Sequence, residues 1–285
     1  DMVKRIATAS VLIVVLLALV LFGRLLTRLL LDFVVFVCAA VAVHETYGAF
    51  KRAGYSPIGG ALVAATVLMV PLTVLLGPSG LIVTVAVGAL TALSVFTMKH
   101  NYELKDMLAT AFILVYPLAL TGIFSLINHG YGGLLGILLA IVVPVMTDTM
   151  AYFAGITIGG KKLCPNISPK KTVAGAVGGI IGGILGAFLI FVLFDLTGAL
   201  ADLSEVDALL PDKWLSLAVY LVIGYLGGFI CEMGDLAASW IKRKAGIKDF
   251  GKIFPGHGGI MDRLDSILFM LPVVYTLFAL LGALL

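Results

Sequence analysis

The chain has 285 residues, 61% of them hydrophobic and only 12% charged, with a mean hydropathy of +1.15 and a formal net charge of +3. Soluble domains are typically about 45–50% apolar and about 25% charged, so this composition excludes a water-solvated globule and points to lipid as the solvent. The small net charge, with no basic stripe interleaved with aromatics, excludes nucleic acid as a partner, and three scattered cysteines exclude a disulfide framework.

A bilayer core about 30 Å thick needs roughly 20 apolar residues per spanning helix. Windows of that kind lie near 6–22, 30–50, 58–77, 80–97, 107–127, 132–156, 173–195, 214–241 and 267–284. Their apolar runs are continuous, whereas barrel strands alternate with period two, so the fold class is all-α. The first window lacks a small-residue cleavage site and a second span follows almost at once, which favours a span over a signal peptide. The expectation is a polytopic integral membrane protein of about nine transmembrane helices. With a cytoplasmic N-terminus, every Lys and Arg except Arg24, Arg28 and Lys213 falls on the inside. That agrees with the positive-inside rule. The longest outside loop is acidic, carrying Asp202, Glu205, Asp207 and Asp212.

The chain changes character midway. Residues 1–130 read as a scaffold of simple spans. Residues 131–285 read as a catalytic region, with ionisable groups in or beside its spans and two polar inner loops, 159–172 and 242–262. Glycines 178, 179, 182, 183 and 186, spaced by three and four, fall on one helix face and predict close helix packing. A phosphate-cradling loop is the other reading, but no strand precedes this apolar run.

Acids inside spans are the sharpest chemical signal, because a carboxylate at the bilayer centre costs at least about 2.5–3.5 kcal/mol. Asp148 lies in Val145-Met146-Thr147-Asp148-Thr149-Met150, and Glu232 and Asp235 share one face of the eighth span, followed by Ser239 and Arg243 at intervals of four. For Asp148 the plainer alternative is an ion pair or an interhelical hydrogen bond. The second loop supplies Lys242, Arg243, Lys248, Lys252 and Arg263 as cations for phosphates. It also contains the turn-forming run Pro255-Gly256-His257-Gly258-Gly259, where backbone N–H groups can approach an anion. Asp262 and Asp265, three apart, put two carboxylates on one helical face. With Asp235 they could bind Mg²⁺, which favours one or two protein carboxylates plus substrate phosphates and water. His44 and Glu45, near the inner end of the second span, are read as an interfacial pair, with a lipid-entrance role as the alternative.

Ser239, Lys242, Arg243, Lys248, Asp249, Pro255 to Gly259, Asp262, Arg263 and Asp265 together resemble the signature of phosphatidate cytidylyltransferases, also called CDP-diacylglycerol synthases. Asp148, Ala151, Tyr152, Lys162, Leu163, Ser168, Pro169, Lys170, Lys171 and Thr172 resemble a second stretch of that family. The two cover about 60 residues. This chain departs from the family where Val173-Ala174 replaces an aromatic residue followed by Glu or Gln.

The resemblance implies that CTP and phosphatidate react to give CDP-diacylglycerol and pyrophosphate with Mg²⁺, in the cell membrane and on its cytoplasmic face. It implies metal ligation by Asp235 and Asp262, with Asp265 and Asp148 as additional or outer ligands. Lys242, Arg243, Lys248 and Arg263 would hold phosphates. Ser239, Gly256, Gly258 and Gly259 would contact substrate, and so would Lys162, Ser168, Lys170, Lys171 and Thr172 of the first loop. His257 could orient a phosphate, donate a proton to the leaving group or be structural. Asp249 could orient its basic neighbours or contact ribose. A homodimer is expected, from the resemblance and from the glycine-rich faces. A CTP-dependent lipid-alcohol kinase is the alternative within enzymes. A transporter with a span broken at Pro144 is the alternative outside them.

Overall fold

The computed structural model describes residues 28–130, 132–200, 209–253 and 258–284, so the expected first span and the Pro255-Gly256-His257 run lie outside the described residues. Among the described residues nine α-helices follow in chain order: α1 Arg28–Arg52, α2 Gly59–Leu76, α3 Pro78–Met98, α4 Leu104–Ile113, α5 Leu120–His129, α6 Gly133–Thr157, α7 Val173–Phe191, α8 Lys213–Lys244 and α9 Met261–Leu284. α4 and α5 form one span joined by the wider turn Leu114–Ala119. Its cause is Pro117, which has no N–H to donate and pushes the preceding Tyr116 to an extended φ of −122° and ψ of 105°. Eight helical segments long and apolar enough to cross a membrane are therefore present among the described residues. α6 continues through Pro144 without ending, so the broken span of the transporter alternative is not formed.

The chain divides into two compact units. The first comprises the described residues through His129 with Lys244–Arg263; the second comprises Gly130–Arg243 and the residues from Leu264 onward. In the first unit, Ala39 and Val43 of α1, Leu62, Ala65 and Met69 of α2 and Ile113 of α4 close a core completed by Leu114 and Leu118.

In the second unit, the loop expected at 159–172 is an antiparallel hairpin of β1 Lys162–Cys164 and β2 Ser168–Thr172, pairing Lys162 with Thr172 and Cys164 with Ser168. Backbone groups next to an apolar medium must find partners, and the hairpin pairs them internally. α7 then starts at once, because the Thr172 side chain accepts the Gly175 N–H at 3.0 Å as an N-cap.

The glycine run divides α7 between two neighbours. A Cβ at Gly182 would strike Met146 and Met150 of α6. At Gly183 it would stand 2.6 Å from the Gly224 carbonyl and 2.8 Å from Gly228 Cα of α8. These faces are occupied within the chain. Gly183→Val is expected to destabilise the folded protein by about 1–3 kcal/mol, the usual cost of overpacking, read as a lower thermal midpoint in detergent; an unchanged midpoint would show that α7 and α8 are not in backbone contact.

Candidate active site

The second unit brings two acids of one helix to a single lysine. β2 carries Lys171, whose ammonium lies 2.5 Å from Glu232 Oε2 and 2.7 Å from Asp235 Oδ2 on the same face of α8. Glu232 is buried, with 8% of its side chain exposed, while Asp235 retains 29%. The room for Glu232 is made on α7, where a Cβ on Gly179 would come within 2.6 Å of Glu232 Oε1. Burial alone would lower the Lys171 pKa, but the Asp235 and Glu232 carboxylates outweigh it and hold the ammonium above its ordinary value.

A cavity of about 640 Å³ opens beside this triad. Asp148 and Tyr152 of α6 line it, together with Lys162, Lys170, Lys171, Thr172, Glu232 and Asp235. Asp148 lies within electrostatic range of Asp265, Asp235, Lys171 and Glu232. Ser239, one turn beyond Asp235, reaches its Oδ1 at 3.5 Å, and Arg243 Nε donates to the Ile167 carbonyl in the hairpin turn at 3.3 Å. Lys242 and Arg243 thus belong to the last turn of α8, not to a loop. Ser168 stands at the start of β2. The cavity accordingly is lined by both cations from the hairpin and acids from the spans, a mixture that suits a polyphosphate with a cation.

No group of three His, Cys, Asp or Glu side chains among the described residues is arranged to hold a metal by itself. The donors do match a hard cation. Asp148 and Asp235 offer only carboxylate oxygens at the wall of a polar cavity, and Mg²⁺ draws much of its coordination from phosphates and water.

Lys248, Asp249, Asp262 and Arg263 of the signature lie in the first unit, and Asp265 of α9 belongs to the second. Asp262, in the first turn of α9, accepts the Phe250 N–H at 2.8 Å and the Gly259 N–H at 2.9 Å through Oδ2. Gly258 has a φ of 83°, and a Cβ there would meet the Asp262 carboxylate at 2.6 Å. Glu45 of α1 accepts the N–H groups of Ile260 (3.3 Å) and Met261 (2.9 Å), placing negative charge at the N-terminus of α9. Lys248 and Asp249 line a cavity with Arg52, and Arg263 is exposed in the first turn of α9. Gly256 and His257 lie outside the described residues.

Two residues exceed the sequence reading. Glu232 is Lys171's closest partner, a role hinted at by two acids three apart in one span. Glu45 pins the signature loop to α1, and no local pattern announced that.

The profile of the cytidylyltransferase family matches residues 3–281. The phosphatidate cytidylyltransferase of Staphylococcus aureus (strain COL) is 30% identical over 277 residues, covering 95% of this chain and 96% of that protein. The protein of the same name from Staphylococcus saprophyticus is 33% identical over 196 residues, covering 61% of this chain and 69% of its own length. The one from Bacillus subtilis (strain 168) is 40% identical over 148 residues, covering 52% and 49%. The chain belongs to the cytidylyltransferase family.

Lys171→Met is expected to cost up to about 3 kcal/mol, below the full penalty for breaking a buried pair because Asp235 is partly solvated. Lys171→Arg should recover part of it, and thermal unfolding of the three proteins checks this. The folded-state pKa of Lys171 is raised, so its stabilisation is fully present below the ordinary value of 10.5 and is lost only as pH rises through the higher folded value. The contribution of the Lys171 ammonium itself should therefore be constant from about pH 6 to about pH 9.

Proposed function

We propose that the protein transfers the cytidylyl group of CTP to phosphatidate, giving CDP-diacylglycerol and pyrophosphate. The observation that carries this reading is one cavity lined both by Lys162, Lys170 and Lys171 and by Asp148, Glu232 and Asp235. Full-length similarity to a protein named phosphatidate cytidylyltransferase supports it. A phosphate oxygen of phosphatidate attacks the α-phosphorus of CTP. A new P–O bond forms as the bond to the bridging oxygen breaks, and pyrophosphate leaves with the electron pair. Two polyanions must meet, so positioning and charge neutralisation are the main demands. Lys162 and Lys170 hold CTP phosphates. Lys171, kept protonated by its two carboxylates, holds Glu232 and Asp235 in place at the cavity wall.

Mg²⁺, when bound, would supply further charge neutralisation on the triphosphate; in this reading Asp235 and Asp148 hold it, with Asp265 outside them. Asp262 is assigned to shaping the signature loop through Phe250 and Gly259, whose N–H groups it accepts. The reading places the protein in the cell membrane with the hairpin and the signature loop on the cytoplasmic face, as the distribution of Lys and Arg favours. A homodimer belongs to it on the resemblance alone.

The test supplies labelled CTP and phosphatidate to the purified protein in detergent, with and without Mg²⁺. CDP-diacylglycerol should form only with the metal, and Asp235→Asn should lower kcat by at least about 100-fold, in line with removal of a transition-state contact. Full activity in Asp235→Asn and Asp148→Asn would remove these residues from the mechanism. Labelled phosphate passing to a polyprenol instead would indicate a kinase.

A further inference from the structure

Three cavities of the first unit share walls and change chemistry along their length. One, of about 460 Å³, lies between α1 and α2 and is lined by apolar groups including Phe36, Ala40, Val43, Leu62, Val63 and Val67. Ala40 and His44 also border the next, of about 500 Å³, which continues past Glu45 to Arg52, Phe250 and Lys252. Arg52, Phe250 and Lys252 in turn line the third, of about 420 Å³, with Lys248 and Asp249. The path therefore runs from an apolar groove between two spans to a cluster of Arg52, Lys248 and Lys252.

Charge at the polar end favours an anion. Asp249 offsets one of the three cations. Glu45, the other acid beside the path, is engaged with the Ile260 and Met261 N–H groups. Arg52 donates through Nη2 to the Phe250 carbonyl at 3.3 Å, which fixes the guanidinium against the signature loop. A guanidinium has five donors in a planar fork that matches phosphate. A nucleotide would gain nothing from the groove between α1 and α2, whereas an amphiphile uses both ends. Bulk phosphodiester lipids carry one charge on the phosphate. A terminal phosphomonoester carries roughly 1.5 to 2 negative charges and gains more from three clustered cations.

We infer that this path seats the lipid substrate, with one acyl chain between α1 and α2 and its terminal phosphate held by Arg52, Lys248 and Lys252. The inference rests on the phosphatidate reading above and adds to it a residue, Arg52, and a groove that lie outside the signature.

The test uses the full chain in phosphatidylcholine nanodiscs with phosphatidate carrying a photoactivatable group in one acyl chain. Crosslinks should map to α1 and α2. Arg52→Gln, a change at an exposed position, should reduce them severalfold. A phosphatidylcholine probe with the same acyl label should give little. Equal labelling of α1 and α2 by both probes, or labelling centred on other helices, would overturn the inference. In mixed micelles Arg52→Gln should raise the KM for phosphatidate about tenfold, the range for losing a hydrogen bond to a charged group, with the KM for CTP changed less than about twofold. Arg52→Lys should recover part of that loss. An unchanged KM for phosphatidate would overturn the groove while leaving the reaction standing. If the unsubstituted protein forms no CDP-diacylglycerol, the reaction itself falls, and the crosslinking pattern still decides the groove.

Discussion

A membrane span tolerates a carboxylate only when something answers its charge, and in this protein Lys171 answers two. The pairing with Glu232 and Asp235 requires a short β-hairpin to carry a lysine back to the spans. It requires Thr172 to start α7 directly after that lysine. It also requires a glycine at position 179 so that Glu232 has room. Each of these features would be costly or idle without the others. Removing the lysine alone would leave acids in a medium that solvates charge poorly, which is why the arrangement reads as a preorganised site.

The same logic explains the glycines of α7. Between apolar helices in lipid, association draws on close packing and not on the hydrophobic effect. Gly182 admits the methionines of α6, and Gly183 admits the backbone of α8. The result packs α6 and α8, which carry Asp148 and Asp235, against the same helix α7. The first unit uses a different device, in which Glu45 and Asp262 capture backbone N–H groups of the signature loop and of the start of α9. Positioning there comes from carboxylates satisfying donors that would otherwise be orphaned.

Much of this was legible beforehand. Long apolar windows located the eight described spans to within a few residues, except that α9 begins at Met261 and α8 extends to Lys244, because polar ends of helices do not register in an apolar window. The spacing of Glu232 and Asp235 announced a shared face, and the cation-rich 161–172 stretch stood out as a polar inner segment, three of whose lysines line one cavity. The sequence did not show that Lys171 in particular bridges those acids. That contact joins residues 61 and 64 positions apart through the hairpin, and no periodicity encodes it. Glu45 was hidden for the same reason. Its partners lie more than 200 residues away and are backbone amides, which leave no signature in side-chain pattern.

In the proposed reaction the cavity around Lys171 binds the nucleotide–metal complex. Anomalous scattering from crystals grown with Mn²⁺ and a CTP analogue that resists transfer tests it most directly. The account predicts a manganese peak coordinated by Asp235 or Asp148, with the triphosphate lying along Lys162, Lys170 and Lys171. A peak that touches neither aspartate, with the triphosphate bound outside that cavity, would contradict it.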